Sequence, residues 1–238
     1  MKIRVIDFEC SGLKPPEAAI CQVGKTDVCL DHHGRPSVGI PFGMFVNPGH
    51  QIPPEVRAIH HIHERDIRDA PPPEVGLQML MESDGMPDIF CAHQAEYDRQ
   101  FFPGGNVPWI CTRKTAMRIW PEAPNHKNQT LRYWLGVDGE YGFDQSHAMP
   151  PHRAPPDTYV TAWVLAKALE VATPEQMIEW TNQPSLLPGA IHFGKHRGTP
   201  WSQVDSGYLE WLLRQPDMDS DTAFTARHWL NRRRADAR

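Results

Sequence analysis

Short apolar runs separated by Pro- and Gly-rich turns predict the strands of this chain. They lie at residues 3–8, 23–30, 43–46 and 88–92. Longer stretches with helical spacing predict helices at 73–81, 95–102, 112–120, 130–135 and 157–169. Strands first, and then strands that alternate with helices, are typical of an α/β fold with a mixed β-sheet flanked by helices.

The last quarter of the chain differs in charge. Residues 186–238 contain eight Lys or Arg and six Asp or Glu, a net charge of +2, whereas residues 1–185 contain sixteen and twenty-three, a net charge of −7. We therefore predict a main domain at 1–183 and a small C-terminal α+β appendage at 184–238. In the appendage we expect a short strand at 190–193 and helices near 208–214 and 219–233.

The composition indicates an ordinary globular protein. Of its 238 residues, 40% are hydrophobic and 22% are charged, which suffices for a packed core. No apolar run approaches the roughly 20 residues of a membrane span. The five cysteines are scattered without a CxxC pair, so we expect a cytoplasmic protein without a disulfide framework. The net charge of −5 weighs weakly against a large nonspecific nucleic-acid-binding surface.

Two carboxylates, Asp7 and Glu9, end the first predicted strand. Alternation places them on one face with Ile3 and Val5, about 6–7 Å apart. Like charges beside a core are unfavourable unless they are neutralised, and a divalent cation such as Mg²⁺ or Mn²⁺ is the simplest partner. The alternative, more common for such a motif alone, is a strand that leaves the core at Asp7.

Two further acids stand near the beginnings of later helices. Asp98 follows the strand that ends at His93, and Asp157 follows two prolines that preset a first helical turn. His152 lies five residues before Asp157 in a loop stiffened by prolines, which would hold an imidazole for proton transfer. Each also has an ordinary explanation, because acids are favoured near helix N-termini and most histidines are structural or solvated.

The order of these motifs is more specific than any one of them. D-x-E at 7–9, H-Q-x-x-Y-D at 93–98 and H-x-x-x-x-D at 152–157 resemble the DEDDh family of 3′-to-5′ exonucleases, which share a ribonuclease H-like fold. The resemblance covers about residues 1–170. It implies that the catalytic residues are four acids binding two divalent cations (Mg²⁺ or Mn²⁺) and a histidine acting as general base: Asp7, Glu9, Asp98, Asp157 and His152.

Other segments resemble particular branches of this family. Residues 57–71 look like part of the proofreading subunit of DNA polymerase III, whereas 109–112, 183–186 and the tail at 193–212 look like the exodeoxyribonuclease X branch. This implies release of nucleoside 5′-monophosphates from single-stranded or duplex DNA 3′ ends, in repair or end processing. RNA is an alternative substrate, because the contact that distinguishes a 2′-OH cannot be placed from sequence. A catalytically decayed nucleic-acid-binding protein is the alternative of another class.

Residues beside the first two motifs are candidates for nucleic-acid contacts. Phe8 could stack on the terminal base or belong to the core, and the core is favoured by strand alternation. Gly12 and Leu13 follow the first motif, and Leu13 is interpreted either as a wedge against the terminal base pair or as a buried leucine. His93 and Gln94 begin the second motif, with Gln94 where Asn is usual in the family.

Two basic segments complete the candidates. His61 belongs to a His-rich segment with His60 and His63, for which contact with the substrate is favoured over a zinc site because no distant partner ligand is apparent. Lys195 and Arg197 lie between two glycines and could contact phosphate, or could equally be solvated on a tight turn.

Overall fold

A computed structural model describes residues 1–82 and 84–236 of the chain. The strands are β1 (Lys2–Cys10), β2 (Ile20–Leu30), β3 (Pro36–Val38), β4 (Phe42–Phe45), β5 (Ile89–Ala92) and β6 (Trp109–Cys111). The first five helices are α1 (Pro54–His60), α2 (Glu64–Ile67), α3 (Pro73–Glu82), α4 (Ala95–Phe101) and α5 (Thr112–Ile119). The others are α6 (Asn128–Trp134), α7 (Ala154–Leu169), α8 (Pro174–Thr181), α9 (Ser206–Leu213) and α10 (Ser220–Asp236).

The strands form one mixed sheet in the order β3–β2–β1–β5–β6, with β4 also paired to β2. β1 runs antiparallel to β2 and parallel to β5, which runs parallel to β6. Because the carboxyl ends of parallel strands meet at one edge, the end of β1 lies at the same edge as the starts of α4 and α5. The predicted mixed α/β architecture is confirmed.

The alternation predicted for β1 is also confirmed. Ile3 and Val5 pack in the cluster that contains Leu165 of α7. Ile6 and Phe8 pack on the opposite side of the sheet, in the cluster that contains Phe90 and Leu80 of α3. Helices therefore cover both faces of the sheet, and a side chain at the end of β1 faces one of two different layers.

Two glycines allow α7 to approach the sheet closely. A Cβ on Gly24 would lie 2.4 Å from the carbonyl carbon of Ala154, and one on Gly43 would lie 2.5 Å from Cγ of Pro155. Thr26 of β2 and Thr158 of α7 share a buried hydrogen bond of 2.8 Å. The first turn of α7 is thus fixed against β2, and this fixes Asp157 as well.

The C-terminal region differs from its predicted form in one respect. The strand expected at 190–193 is wrong, because only a single bridge between Ala190 and Pro200 forms there. Gly189 and Gly194, with φ of 71° and 61°, bracket the segment in left-handed conformations that interrupt an extended strand. The two helices expected in this region are confirmed as α9 and α10.

The C-terminal region packs against α5. Its apolar cluster includes Trp201, Leu209 and Leu230, together with Met117 of α5. Lys114 of α5 forms a buried ion pair of 3.5 Å with Asp221 of α10. The division at residue 183 stays a prediction. Among the described helices, none is long and apolar enough to cross a lipid bilayer.

Candidate active site

Three of the four predicted acids converge at the end of β1. Asp7, Glu9 and Asp157 each place a carboxylate oxygen so that the three atoms lie within 4.8 Å of one another. Asp7 and Glu9 continue the face of β1 that α7 covers, and Asp157 lies in the first turn of α7. Strand periodicity and the close approach at Gly24 together bring the acids into one cluster.

The fourth acid, Asp98, reaches the same cleft from α4. It is buried, with 4% of its surface exposed. It lines a cleft of about 480 Å³ together with Asp7, Asp157 and His152. Tyr97, its neighbour, donates a hydrogen bond of 3.0 Å from its hydroxyl to the carbonyl oxygen of Gly12, which ties α4 to the loop after β1.

The acids of this cluster are buried close together, and their pKa values are raised as a result. Burial and then the neighbouring carboxylates of Glu9, Asp157 and Asp98 raise the pKa of Asp7 well above its usual range. Burial and then Asp157 raise the pKa of Glu9 to about 8, although Arg153 opposes the shift. Burial raises the pKa of Asp98 to about 7. Carboxylate oxygens are the ligands that divalent cations such as Mg²⁺ or Mn²⁺ prefer. Because these carboxyl groups ionise with difficulty on their own, a bound cation would stabilise their charged forms, and the residues therefore fit a metal site.

His152 is exposed at the mouth of this cleft, directly before α7. Its backbone adopts a left-handed conformation with φ of 59°, which is uncommon outside glycine. In this conformation its N–H donates a hydrogen bond of 2.8 Å to Oδ2 of Asp157. The same turn is held to β2 because Gln22 Oε1 accepts hydrogen bonds from Arg153 Nε at 3.0 Å and from Ala154 N at 3.1 Å.

A second, smaller cleft adjoins the acids on the other side. It measures about 290 Å³ and shares Asp7, His152, Asp157 and Tyr97 with the first. Gly12 and Leu13 line it, and Leu13 is 79% exposed. The interpretation of Leu13 as a buried leucine is therefore wrong, and its exposure beside the acids is compatible with a wedge.

Of the other residues predicted to contact nucleic acid, two line the first cleft and one is buried in the core. His93 and Gln94 line the first cleft. Phe8 is 4% exposed and packs edge-on against Phe102 at 6.4 Å between ring centroids, so its side chain belongs to the core and is not available for stacking on a base. The alternation of side chains along β1 requires this, because Phe8 points to the face opposite Asp7 and Glu9.

The basic candidates lie away from the acids. His61 is exposed at the C-terminal end of α1 with φ of 56°, whereas Ile59 and His60 line the smaller cleft. Lys195 and Arg197 are exposed on a turn of the C-terminal region, where the Lys195 ammonium lies 5.2 Å from the ring centre of Tyr208. They do not appear among the residues that line either of these two clefts.

Sequence reasoning missed several residues of the first cleft. Arg113, Lys127 and Gln129 line it, on α5, on the following loop and on α6. Arg132, buried one turn further along α6, donates a hydrogen bond of 3.2 Å to Oε1 of Gln129. These residues follow no motif or periodic pattern that distinguishes them, and only the fold brings them to the acids.

Four carboxylates at one end of a ribonuclease H-like mixed sheet, with a loop histidine beside them, match the arrangement that the resemblance to DEDDh-type 3′-to-5′ exonucleases implies. A family model described as Exonuclease (RNase_T) matches residues 5–165. The chain belongs to this family, and the acidic cluster at its site implies divalent metal ions.

Individual relatives agree with this placement. Exodeoxyribonuclease 10 of Escherichia coli is 33% identical over 234 residues, covering 96% of this chain and 98% of that protein. A solved structure of Exonuclease X in complex with 5′ overhanging duplex DNA superposes with a TM-score of 0.61 at 28% identity, covering 76% of this chain and 99% of that one. The nuclease domain of 3′hExo, a DEDDh family member bound to rAMP, has a TM-score of 0.51 at 17% identity over 71% of this chain and 92% of that one, and shows the fold alone.

Proposed function

We propose that this exonuclease removes nucleoside 5′-monophosphates one at a time from DNA 3′ ends, using two divalent cations, Mg²⁺ or Mn²⁺, held by Asp7, Glu9, Asp98 and Asp157. The observation that carries the proposal is the convergence of Asp7, Glu9 and Asp157 within 4.8 Å. The relatives described as exodeoxyribonuclease 10 and as a duplex-DNA complex support DNA as the substrate. Repair or end processing of DNA is the setting that we propose.

The roles of the side chains follow from their positions. When bound, the cations would polarise the scissile phosphate and stabilise the leaving 3′ oxygen. His152, exposed at the mouth of the cleft, accepts the proton of the attacking water. Asp157 keeps its orientation because its Oδ2 accepts a hydrogen bond of 2.8 Å from the backbone N–H of His152. The proposed general base, His152, and the proposed metal ligand, Asp157, are therefore held next to each other.

The test uses 5′-labelled DNA and RNA oligonucleotides of one sequence, incubated with Mg²⁺ or Mn²⁺. We expect a ladder that shortens by single nucleotides on DNA, and loss of the ladder in Asp157→Asn. The matched control is Asp31→Asn, an exposed acid at the opposite end of the β1–β2 pair, which keeps full activity.

Each contrary result has its own meaning. A ladder on RNA but not on DNA would overturn the substrate assignment while leaving the chemistry intact. No ladder on either substrate with either metal would leave the decayed nucleic-acid-binding protein as the better description.

A further inference from the structure

A third cleft continues the active-site cleft toward the C-terminal region. It measures about 440 Å³ and lies between α5 with its following loop and the segment at 187–201. Arg113, His126 and Lys127 line both this cleft and the one that holds the acids. A ligand bound at the acids can therefore extend into it without leaving the protein surface.

The charge of this cleft is opposite to that of the chain. Arg113, Lys127 and His192 line it, and no carboxylate does so among the described lining residues. Arg113 and Lys127 form no ion pair with any residue that the structure describes. In a protein of net charge −5, a groove with unpaired cations and apolar walls suits a phosphodiester strand.

The smaller cleft on the other side of the acids has a different character. Leu13, Val56 and Ile59 line it, and its described lining residues include no Lys or Arg. A phosphodiester bound at the acids must have its terminal nucleoside on one side and the rest of the strand on the other. The side that has apolar residues and no Lys or Arg suits the nucleoside, so the rest of the strand leaves across Arg113 and Lys127.

The wall that carries Lys127 is fixed by His93. Burial lowers the pKa of His93 to about 4, so its imidazole is neutral near pH 7. Its Nε2 lies 2.9 Å from the carbonyl oxygen of His126, which can only accept, and Nδ1 lies 2.9 Å from Thr112 Oγ1. Nε2–H therefore donates to the loop, and Nδ1 accepts from the hydroxyl. The second-motif histidine thus holds the loop in place.

The opposite wall of the third cleft, which the C-terminal region forms, is also fixed to α5, the helix that carries Thr112. Arg118 Nη1 donates to Ser185 Oγ at 2.6 Å, and the Ser185 N–H donates to Asp221 Oδ1 at 2.8 Å. Because Lys114 and Arg118 of α5 hold the region that carries His192, both walls keep their spacing.

We propose that the C-terminal region completes a binding groove for a single-stranded phosphodiester chain on the 5′ side of the scissile bond, with Arg113, Lys127 and His192 facing its phosphates. This inference rests on the proposed exonuclease function. It assigns a role to residues that lie beyond the family match, which ends at residue 165.

The test is the length dependence of KM on oligothymidylates of two to twelve nucleotides with Mn²⁺. We expect the KM of wild type to fall with length. In Lys127→Ala, KM for the 12-mer rises about tenfold more than KM for the dinucleotide, the factor for one lost charge-assisted contact. His192→Glu, which places a carboxylate in the groove, has an effect of similar size. Lys127→Ala also makes the slope of log KM against log salt shallower by about 0.7. The control Arg35→Ala, at the opposite end of the sheet, matches wild type.

An equal KM for all lengths in wild type, or an unchanged length dependence in both variants, would overturn the groove. Binding of a fluorescent 12-mer in Ca²⁺, followed by anisotropy, separates this from failure of the proposed function. If turnover is absent but both variants weaken binding about tenfold, the groove stands and the exonuclease assignment does not. Unchanged binding in both variants rejects the groove whether or not the protein is active.

Discussion

The two ends of β1 bury charge in opposite ways. Near its start, Arg4 is fully buried and forms two hydrogen bonds of 2.7 Å with Asp27 of β2, and it also donates to the carbonyl oxygen of Leu80. Near its end, Asp7 is buried among acids, and the pKa values of Asp7 and Glu9 are raised. The chain balances its own charge where a strand pair must be held. It leaves the charge unbalanced where a cation must bind.

The largest expected effect comes from removing one acid of the unbalanced cluster. Asp7→Asn should lower kcat at least about 1,000-fold, because the site loses a ligand for the charge that stabilises the transition state. In metal-free buffer at pH 8 the same variant should melt no lower than wild type, because the crowded cluster then contains one acid fewer. Calorimetry in EDTA and a nuclease assay test both, and a lower Tm with retained activity would contradict the comparison.

The balanced pair should respond in the opposite sense. Arg4→Met should lower the free energy of unfolding by up to about 3 kcal/mol, because it leaves the partly buried carboxylate of Asp27 without its partner. The kcat of the folded protein should stay near wild type. Urea denaturation measures the loss, and Arg4→Met combined with Asp27→Leu should recover most of it. A large fall in kcat with unchanged stability would show that this pair serves the site.

His152 should affect rate without affecting stability. His152→Gly should reduce kcat by about 100- to 10,000-fold, the usual contribution of a general base, while the glycine keeps the left-handed backbone and its N–H to Asp157. His32→Gly, at an exposed turn beyond β2, is the control. Single-turnover rates and Tm for both variants make the test, and an active His152→Gly would remove His152 from the role of base.

The smallest effect is the pH dependence of stability without metal. Because the pKa of Glu9 is about 8 in the folded protein and near 4.5 in an unfolded chain, the folded state holds this proton more tightly. The resulting stabilisation is complete below about pH 4.5 and is lost as the pH rises through 8. Mn²⁺ at one fixed concentration, about 100 times its Kd at pH 8, should then raise Tm by about 5–10 °C at pH 8 and by less at pH 5, where protons compete for the acids. Scanning calorimetry at both pH values decides, and an equal rise at the two would contradict the account.

The sequence predicted the parts of the fold that rest on periodic patterns. The alternation of β1 correctly separated Ile3 and Val5 from Ile6 and Phe8, because one face of each strand must pack on its own layer of helices. β6 was missed, since a strand of three residues is too short to show a period. The strand expected at 190–193 failed because flanking glycines in left-handed conformations end the extension.

The candidate site was predictable in part for a different reason. The spacing of the acids matched a family pattern, and the structure brings Asp7, Asp98, Asp157 and His152 to one cleft, with Glu9 in the smaller cleft that adjoins it. Their roles stay a proposal. Arg113 and Lys127 could not be anticipated, because their place in the cleft depends on how α5 and the loop after it dock beside the acids.

The most direct test of the central claim is to locate cations in crystals grown with Mn²⁺ and a nucleoside 5′-monophosphate. The account predicts two anomalous peaks within coordination distance of the carboxylates of Asp7, Glu9, Asp98 and Asp157. Full Mn²⁺ occupancy elsewhere with none at these acids would contradict it.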